Sequence, residues 1–549
     1  MDAIGDSEDA LSSGNDKGHI ENDVIHGRVT RYLYILGITV MFIYGAYIGV
    51  IGLESSMNIE EGLGTTSVMV VFVVSFLSCL TFVPFVIDFY GAKFAIIIGE
   101  LGFVIYIAAN LYPSWYTLIP AAILHGITES CPWAGSSFYV TFLGHSKSKK
   151  SKSLKKKLNV PQEAYVYKFF GLFYSMIFAG EIIGSSITAA VLLGFQGHSN
   201  IINEQNITGQ TEGYSTTIMS PTRAYHEEVT TESITGGIYN PLARCGSQDC
   251  QEEYIYDSSE TNLEKFNPSK ISIYVLLSVF LVISIGFICI QALFLPRAPA
   301  KYDKLEESDE AKNFIQAENE NVLSGWQSTL AQFWYNTKSQ LKLVYQHVIS
   351  PLHLCFMLFP FYYGLVYAYN LTEYTRAFVS CTIGVEKMGV AMVVLGGCSV
   401  VGSLIGTFII PRIGRKKCLV LLTLWHFGSY LLNYFWSPNP HNTWAVYLIG
   451  AVNGIGSGFL MTILDGFVAV YFEDRLGIAF SVKSCITNLG IVAATGWSTR
   501  LCVYVKLYLQ IGFLFISVLS ISIAERLYNR KRKHKSKIVL QEQTNTLSL

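Results

Sequence analysis

The sequence predicts an all-α membrane protein with twelve transmembrane helices in two halves of six. Hydrophobic residues make up 51% and charged residues 14% of its 549 residues, and the apolar residues gather in runs of about 20. An α-helix needs about 20 residues to cross a hydrocarbon core of ~30 Å. Two similar polar loops, around Gly91 and Gly414, each follow the second apolar run of a half, and their glycines lie 323 residues apart. This repeat indicates a duplicated six-helix unit.

The apolar runs define the predicted spans in order along the chain. Those of the first half are Tyr32–Leu53, Thr65–Ile87, Phe94–Leu111, Tyr116–Phe138, Val166–Phe195 and Ile271–Leu295. Those of the second half are Leu352–Tyr369, Val385–Ile410, Cys418–Trp436, Trp444–Tyr471, Ile478–Ser498 and Lys506–Ala524. The predicted domains are a tail at 1–31, a first half at 32–295 with an outer loop at 196–270, a linker at 296–350, a second half at 351–525 and a tail at 526–549.

The linker between the halves contains a segment with amphipathic spacing. Between Val322 and Val348, aromatic and apolar residues recur near one helical face and alternate with lysines. The residues concerned are Trp326, Leu330, Phe333, Trp334, Lys338 and Lys342. This pattern predicts a helix lying at the membrane surface.

Two basic segments predict the orientation of the chain. Residues 145–157, between spans four and five, and residues 526–537, after span twelve, are rich in lysine and arginine. Such segments stay on the cytoplasmic side of a membrane, so both termini are expected there. Because topology explains the charge, we expect no nucleic-acid partner, whereas anionic lipids are a reasonable partner for these basic loops. The expected location is the plasma membrane, with an endosomal membrane as the alternative.

The loops expected outside contain glycosylation and disulfide candidates. Asn206 and Asn370 each begin an N-x-S/T acceptor pattern. Cys245 and Cys250 are five residues apart in the long outer loop, and a local bridge between them is the favoured prediction. The alternatives are two free thiols or a bond to another outer cysteine such as Cys381.

The sequence lacks the motifs of an enzyme. It contains no phosphate-binding glycine loop, no metal-ligand spacing and no activated nucleophile, so we expect no catalytic residue, metal or cofactor. Ionisable residues within the apolar runs are the remaining candidates, chiefly Glu181, Asp465 and Lys483. The functional interpretation is a proton or cation relay, or a central substrate site. The alternative for each residue is a structural ion pair or a position near an interface.

The two repeated loops resemble a known signature. Asp88-x-x-Gly91-x-Lys93 and Arg412-x-Gly414-Arg415-Lys416 are similar to the loops of the major facilitator superfamily that join spans two and three, and spans eight and nine. The resemblance implies a charged latch at the cytoplasmic ends of the helices. Phe89 replaces the usual arginine of the first loop and Pro411 the usual aspartate of the second, which argues against a strong gating salt bridge.

A narrower resemblance covers most of the chain. Its blocks are Glu61–Gly64, Ser114–Pro120, Arg244–Cys250, Glu373–Arg376 with Cys381–Gly384, and Leu501–Tyr508. Together and in this order they are similar to the Unc-93-like family, and in particular to its A-type homologues. The resemblance implies a facilitator-like protein without established transport, related to a regulatory subunit of a two-pore-domain potassium channel.

The block Glu373-Tyr374-Thr375-Arg376 follows the Asn370 pattern and is the predicted outer partner face. Glu373 and Arg376 are three residues apart, so they are expected to pair on a helical turn. The alternative is a surface helix end with an ion pair of little energetic value. The sequence therefore favours a channel regulator, with an ion-coupled secondary transporter of an unknown solute as the alternative.

Overall fold

A computed structural model of the chain describes residues 28–51, 54, 63–154, 163–208, 244–250, 270–298, 338–384, 387–439, 441–498 and 500–547. All the regular secondary structure in these residues is helical, so the predicted all-α class is confirmed. The first half contains α1 (Arg28–Ile51), α2 (Leu63–Ser78), α3 (Phe82–Tyr90), α4 (Ala92–Ala109), α5 (Trp115–Thr128), α6 (Ser130–Leu154), α7 (Glu163–Thr208) and α8 (Lys270–Phe294). After the linker come α9 (338–348), α10 (Pro351–Phe356), α11 (Leu358–Tyr369), α12 (Met388–Ile413), α13 (Arg415–Phe435), α14 (Ala445–Tyr471), α15 (Leu476–Ser498) and α16 (Val503–Leu547).

The number of membrane crossings is consistent with the prediction. In the described residues, ten helices are long and apolar enough to cross a membrane, and the bent pair α2–α3 makes eleven. If the broken pair α5–α6 also counts as one crossing, the total is twelve. Each predicted span overlaps one helix or one interrupted pair of helices, the third such pair being α10–α11.

Proline explains why some predicted spans are interrupted. The pair α2–α3 is bent by 59° ahead of Pro84, and α5 gives way to α6 ahead of Pro132. The short α10 similarly ends four residues before Pro360. A proline donates no backbone hydrogen bond and its ring clashes with the carbonyl four residues earlier, so a helix breaks at that point.

The duplication predicted from the loops is visible in the backbone. Gly91 has φ 84° and ψ 163°, and Gly414 has φ 80° and ψ 162°, so the two loops turn in the same way. The same offset of 323 residues relates Tyr44 of α1 to Tyr367 of α11, whose hydroxyls lie 3.4 Å apart. Equivalent tyrosines of the two halves therefore meet at the seam between the halves.

Close helix packing joins the halves into one core. Across the seam, α7 packs on α12, and both α2 and α6 pack on α15. Gly171 of α7 lies so close to α12 that a Cβ atom there would be 1.9 Å from Thr407 Oγ1. Small residues at such contacts let the backbones approach closely, so that van der Waals packing can associate the helices in lipid.

The two ends of the bundle differ. One end carries residues 244–250 and is called the cap end; the other carries Gly91, Gly414 and α9 and is called the latch end. At the latch end α6 continues as a helix to Leu154, through most of the segment predicted as a basic loop. The predicted surface helix of the linker is described only as α9, and its residues Trp326, Leu330, Phe333 and Trp334 lie outside the described residues.

Candidate functional site

Two of the predicted intramembrane charges form an ion pair inside the bundle. Asp465 of α14 and Lys483 of α15 are both buried, and Oδ1 of the aspartate lies 2.8 Å from Nζ of the lysine. Ser137 of α6 donates a hydrogen bond of 2.6 Å to Oδ2 of Asp465, and Tyr174 of α7 donates a second. The aspartate therefore receives two donors from the first half and one cation from the second.

Glu181, the third intramembrane candidate, lies at a separate place. The hydroxyl of Tyr44 donates a hydrogen bond of 3.4 Å to Oε1 of Glu181 and also contacts Tyr367 of the second half. The structure thus does not bring Glu181 together with Asp465 and Lys483. Instead, each site bridges the seam at a different level.

A buried polar cluster in the second half was not singled out from the sequence as a unit. Tyr362 hydrogen-bonds to Nδ1 of His426 at 2.7 Å and to the hydroxyl of Tyr430 at 2.8 Å. Next to it is a cavity of about 10 Å³, lined in part by His426, Tyr430 and Asn453. A cavity of this volume has room for about one water molecule.

The disulfide pairing at the cap end corrects the sequence prediction. Cys245 is bonded to Cys381, and Cys250 is bonded to Cys502, so the local bridge between Cys245 and Cys250 is wrong. Between Cys245 and Cys250, Gly246 has φ +69° and turns the chain over Trp436. This turn directs the two neighbouring cysteines to different helices of the second half. The open alternative, a bond from Cys245 to Cys381, is the pairing found.

Asp249 of this segment and three charges next to it neutralise one another. Arg376 bonds Asp249 at 2.6 Å and Glu373 at 2.9 Å, so the predicted local pair of Glu373 and Arg376 is present. Lys506 of α16 bonds the other oxygen of Glu373 at 2.7 Å. Ser498 also donates to that oxygen at 2.5 Å. We call residues 244–250 with these four charges the cap network.

The cap network changes the interpretation of the predicted partner face. Glu373 and Tyr374 are buried, whereas Thr375 and Arg376 are partly exposed. The four residues belong to a π-helical segment, Asn370–Ser380, which continues α11. Because Glu373 and Tyr374 point into the protein, the prediction of a four-residue docking face is wrong.

The predicted glycosylation of Asn370 also conflicts with its position. Asn370 is buried, and its Nδ2 donates a hydrogen bond of 2.9 Å to Ser457 Oγ. A glycan needs an accessible asparagine in a surface segment. Asn206 lies at the end of α7, and its glycosylation stays a prediction.

The first signature loop contacts both halves at the latch end. The carboxylate of Asp88 lies next to Gly477, where a Cβ atom would be 2.9 Å from Oδ1. Gly477 is in the first turn of α15, so the positive end of that helix favours the negative charge. Lys93 donates a hydrogen bond of 2.7 Å to the carbonyl of Ala292 near the end of α8.

The second loop supplies an ionic latch through Arg415. Its guanidinium bonds Glu163 of α7 at 3.1 Å and Glu525 of α16 at 3.3 Å. Arg532 also bonds Glu163, at 3.3 Å. Carboxylates from elsewhere in the chain thus pair with Arg415, although the aspartate expected at Pro411 is missing. Arg412 and Lys416 are exposed and lie outside this latch.

The linker helix α9 packs on the latch end through a neutral histidine. The ring of His347 lies 4.7 Å from that of His353 and 4.8 Å from that of Phe472. Burial, with His353 and Arg475 nearby, lowers the pKa of His347 to about 3. The ring is therefore uncharged at neutral pH and packs as an aromatic group.

Comparison with known proteins gives matches in both halves. Residues 55–158 match the family described as ion channel regulatory protein UNC-93, and residues 354–547 match the Major Facilitator Superfamily. The chain is 25% identical to protein unc-93 homolog A of Homo sapiens, over 91% of this chain and 93% of that protein. It is 24% identical to the putative potassium channel regulatory protein unc-93 of Caenorhabditis elegans, over 92% of this chain and 62% of that protein.

A solved structure shows the same fold. The proton:xylose symporter XylE superimposes with a TM-score of 0.55, covering 90% of this chain and 95% of that chain. The two sequences are 9% identical, so the comparison concerns the fold alone. The predicted major-facilitator-like architecture is confirmed.

Proposed function

Because this chain is a relative of the Unc-93-like proteins and has the major facilitator fold, we propose that it is a membrane-embedded regulatory subunit of a potassium channel of the two-pore-domain class. In this role it binds the channel and alters its gating or surface level without carrying a solute. The similarity to the Caenorhabditis elegans protein named as a putative potassium channel regulatory protein extends over 92% of the chain and supports this proposal.

The structural observation that carries the proposal is the bridged seam. On the latch side, Asp465 is held by Ser137 and Tyr174 of the other half while Lys483 neutralises its charge. On the cap side, Tyr44 meets Tyr367. Alternating access requires the halves to separate on one side at a time. A seam bridged on both sides, with its charge compensated internally, fits a protein that acts as a rigid partner.

Co-expression tests the proposal directly. The chain is expressed with individual two-pore-domain potassium channels, and whole-cell current and channel surface level are recorded. We expect at least one channel to change in current or abundance. Unchanged current and surface level across all the channels would contradict the proposal. As a control, the variant Lys531→Gln, which changes an exposed residue away from the seam, should affect the channel as the unmodified chain does.

The second candidate is an ion-coupled secondary transporter, and Glu181 favours it. This carboxylate sits beside the seam and is bonded through Tyr44 to a residue of the opposite half. Such a group is suited to couple proton binding to movement of the halves. Solute uptake by cells expressing the chain, abolished by Glu181→Gln but not by Lys531→Gln, would replace the regulator proposal.

A further inference from the structure

The last helix carries a row of exposed residues along one face from Tyr508 to Lys537. Within the apolar part of α16 the exposed residues include Tyr508, Phe515, Leu519 and Ile523, and beyond Ala524 they include Arg526, Arg530, Lys533 and Lys537. Successive members are three, four or seven residues apart, which keeps them on one side of a helix. The side of α16 that meets lipid chains therefore continues, without rotating, into a row of cations.

The opposite side of the same extension is attached to the protein. Glu525 bonds Arg415 and Tyr471, and Tyr528 packs 5.0 Å from the ring of Tyr471. Arg532 bonds Glu163 at 3.3 Å. The cations are therefore sorted: Arg532 serves the ionic latch, whereas Arg526, Arg530 and Lys533 make no ion pair with a described residue.

The neighbouring helix repeats the pattern. In α13, which packs against α16, Lys416 and Lys417 are exposed and are followed at helical spacing by the exposed Val420, Leu421 and Leu424. The bond between Arg415 and Glu525 brings the start of α13 to the level at which the apolar part of α16 ends. Both helices thus change from apolar to cationic at the same height on their lipid-facing sides.

We propose that Lys416, Lys417, Arg526 and Arg530 form a binding site for the headgroup of an anionic phospholipid. The rise from Arg526 to Arg530 is about 6 Å at ~1.5 Å per residue. This matches the headgroup layer, which adds roughly 5–7 Å to each side of the hydrocarbon core. The acyl chains of the lipid would lie along the apolar stripe that ends at Ile523.

The sorting of the cations distinguishes this site from a simple topology signal. Orientation depends on how many lysines and arginines flank a span and does not require them on one face. Here cations of two helices that make no ion pair with a described residue lie on the surface that the apolar stripes assign to lipid. The inference does not depend on channel regulation.

The test measures lipid-dependent stability of the purified full chain in detergent. Thermal unfolding is followed with added phosphatidylcholine, phosphatidylserine or phosphatidylinositol bisphosphate, and bound lipids are counted by native mass spectrometry. We expect stabilisation by the anionic lipids and little by phosphatidylcholine. Each cation near an anionic surface contributes about a fivefold gain in affinity, so replacing all four by Gln should weaken binding about a hundredfold or more.

A pair of adjacent residues provides the control. Arg530→Gln and Lys531→Gln remove the same charge about 100° apart on one helix. We expect weaker lipid binding for Arg530→Gln and unchanged binding for Lys531→Gln, whose exposed contact with Asp474 is 3.8 Å long. Equal effects of the two single variants, or unchanged binding in the fourfold variant, would overturn the site. Equal stabilisation by soluble inositol trisphosphate would show that a free phosphate compound, not a lipid, is the ligand.

Discussion

Asp465 illustrates how this protein keeps a charge inside a hydrophobic bundle. Its carboxylate is fully buried, but one oxygen faces Lys483 and the other accepts bonds from Ser137 and Tyr174. Taking a charge out of water costs several kcal/mol, and a cation with additional hydrogen bonds offsets that cost. The arrangement makes the two partners of the ion pair unequal, since among the described residues only the aspartate has further hydrogen-bond partners.

This inequality predicts a ranking of substitutions. Asp465→Asn leaves a buried lysine without its counter-charge and should destabilise the protein by about 3–5 kcal/mol. Lys483→Met should cost less because Ser137 and Tyr174 still donate to the aspartate, and the double variant should be less damaged than Asp465→Asn alone. Thermal unfolding in detergent gives the order. Additive losses in the double variant would contradict an energetic link between the two residues.

The burial of Asn370 predicts that Asn206 is the glycosylated residue of the two acceptor asparagines. Treatment with a glycosidase should increase the gel mobility of the wild-type chain, and Asn206→Gln alone should abolish that shift. Asn370→Gln should keep the shift, since the asparagine is hydrogen-bonded to Ser457 in the interior. Loss of a glycan in Asn370→Gln would refute the position assigned to this residue.

At this scale the sequence identifies residues better than their partners. Glu181, Asp465 and Lys483 are recognisable because ionisable groups are rare in apolar runs. The donors Ser137 and Tyr174 are ordinary helix residues in a sequence, and nothing local marks them. Their role depends on helices far apart in the chain, which sequence spacing does not determine.

At the scale of secondary structure, the breaks in α2–α3 and α5–α6 each come just before a proline, whereas Pro120 and Pro411 lie inside continuous helices. Hydropathy predicts twelve runs, a count consistent with the described helices, but it treats the pairs α2–α3 and α5–α6 as continuous because it averages over a window. Pro84 and Pro132 carry the missing information, since each removes a helical hydrogen bond. The π-helical segment that follows α11 has no comparable sequence signal, and the predicted partner face failed there.

The two signature glycines allow a test at this scale. Gly414 has φ +80°, a conformation that side chains disfavour, and a Cβ atom there meets nothing within 4 Å. Gly414→Ala should therefore cost about 1–3 kcal/mol from backbone strain alone. The control Gly428→Ala lies in the exposed middle of α13 with equal space and should be neutral or slightly stabilising. Thermal unfolding of both variants measures the difference; equal stability would argue against the turn.

The whole molecule is a duplicated bundle in which residues 244–250 close the second half at the cap end. The 323-residue offset between the repeated loops predicts the two-half plan, and the contact of Tyr44 with Tyr367 obeys the same offset. The described residues contain no second cap network. Its disulfides join a loop of the first half to α16 and to the end of the π-helical segment, so spacing alone did not predict them.

Peptide mapping without reduction tests this pairing. We expect linked peptides containing Cys245 with Cys381 and Cys250 with Cys502. Removing a native disulfide that closes a long loop costs about 2–5 kcal/mol, so Cys250→Ser with Cys502→Ser should lower the unfolding temperature. The control Cys289→Ser changes an exposed free thiol and should leave it unchanged. A peptide joining Cys245 to Cys250 would restore the local bridge.

The connectivity of the cap also has a consequence for biosynthesis. Cys250 and Cys502 are 252 residues apart, and the later cysteine stands at the start of the last membrane-crossing helix. The earlier cysteine is synthesised long before its partner exists and must remain unpaired, or pair transiently, while the second half is inserted. Formation of this bond therefore reports that the final helix has been made, which provides the cell with a chemical mark that separates finished chains from truncated ones.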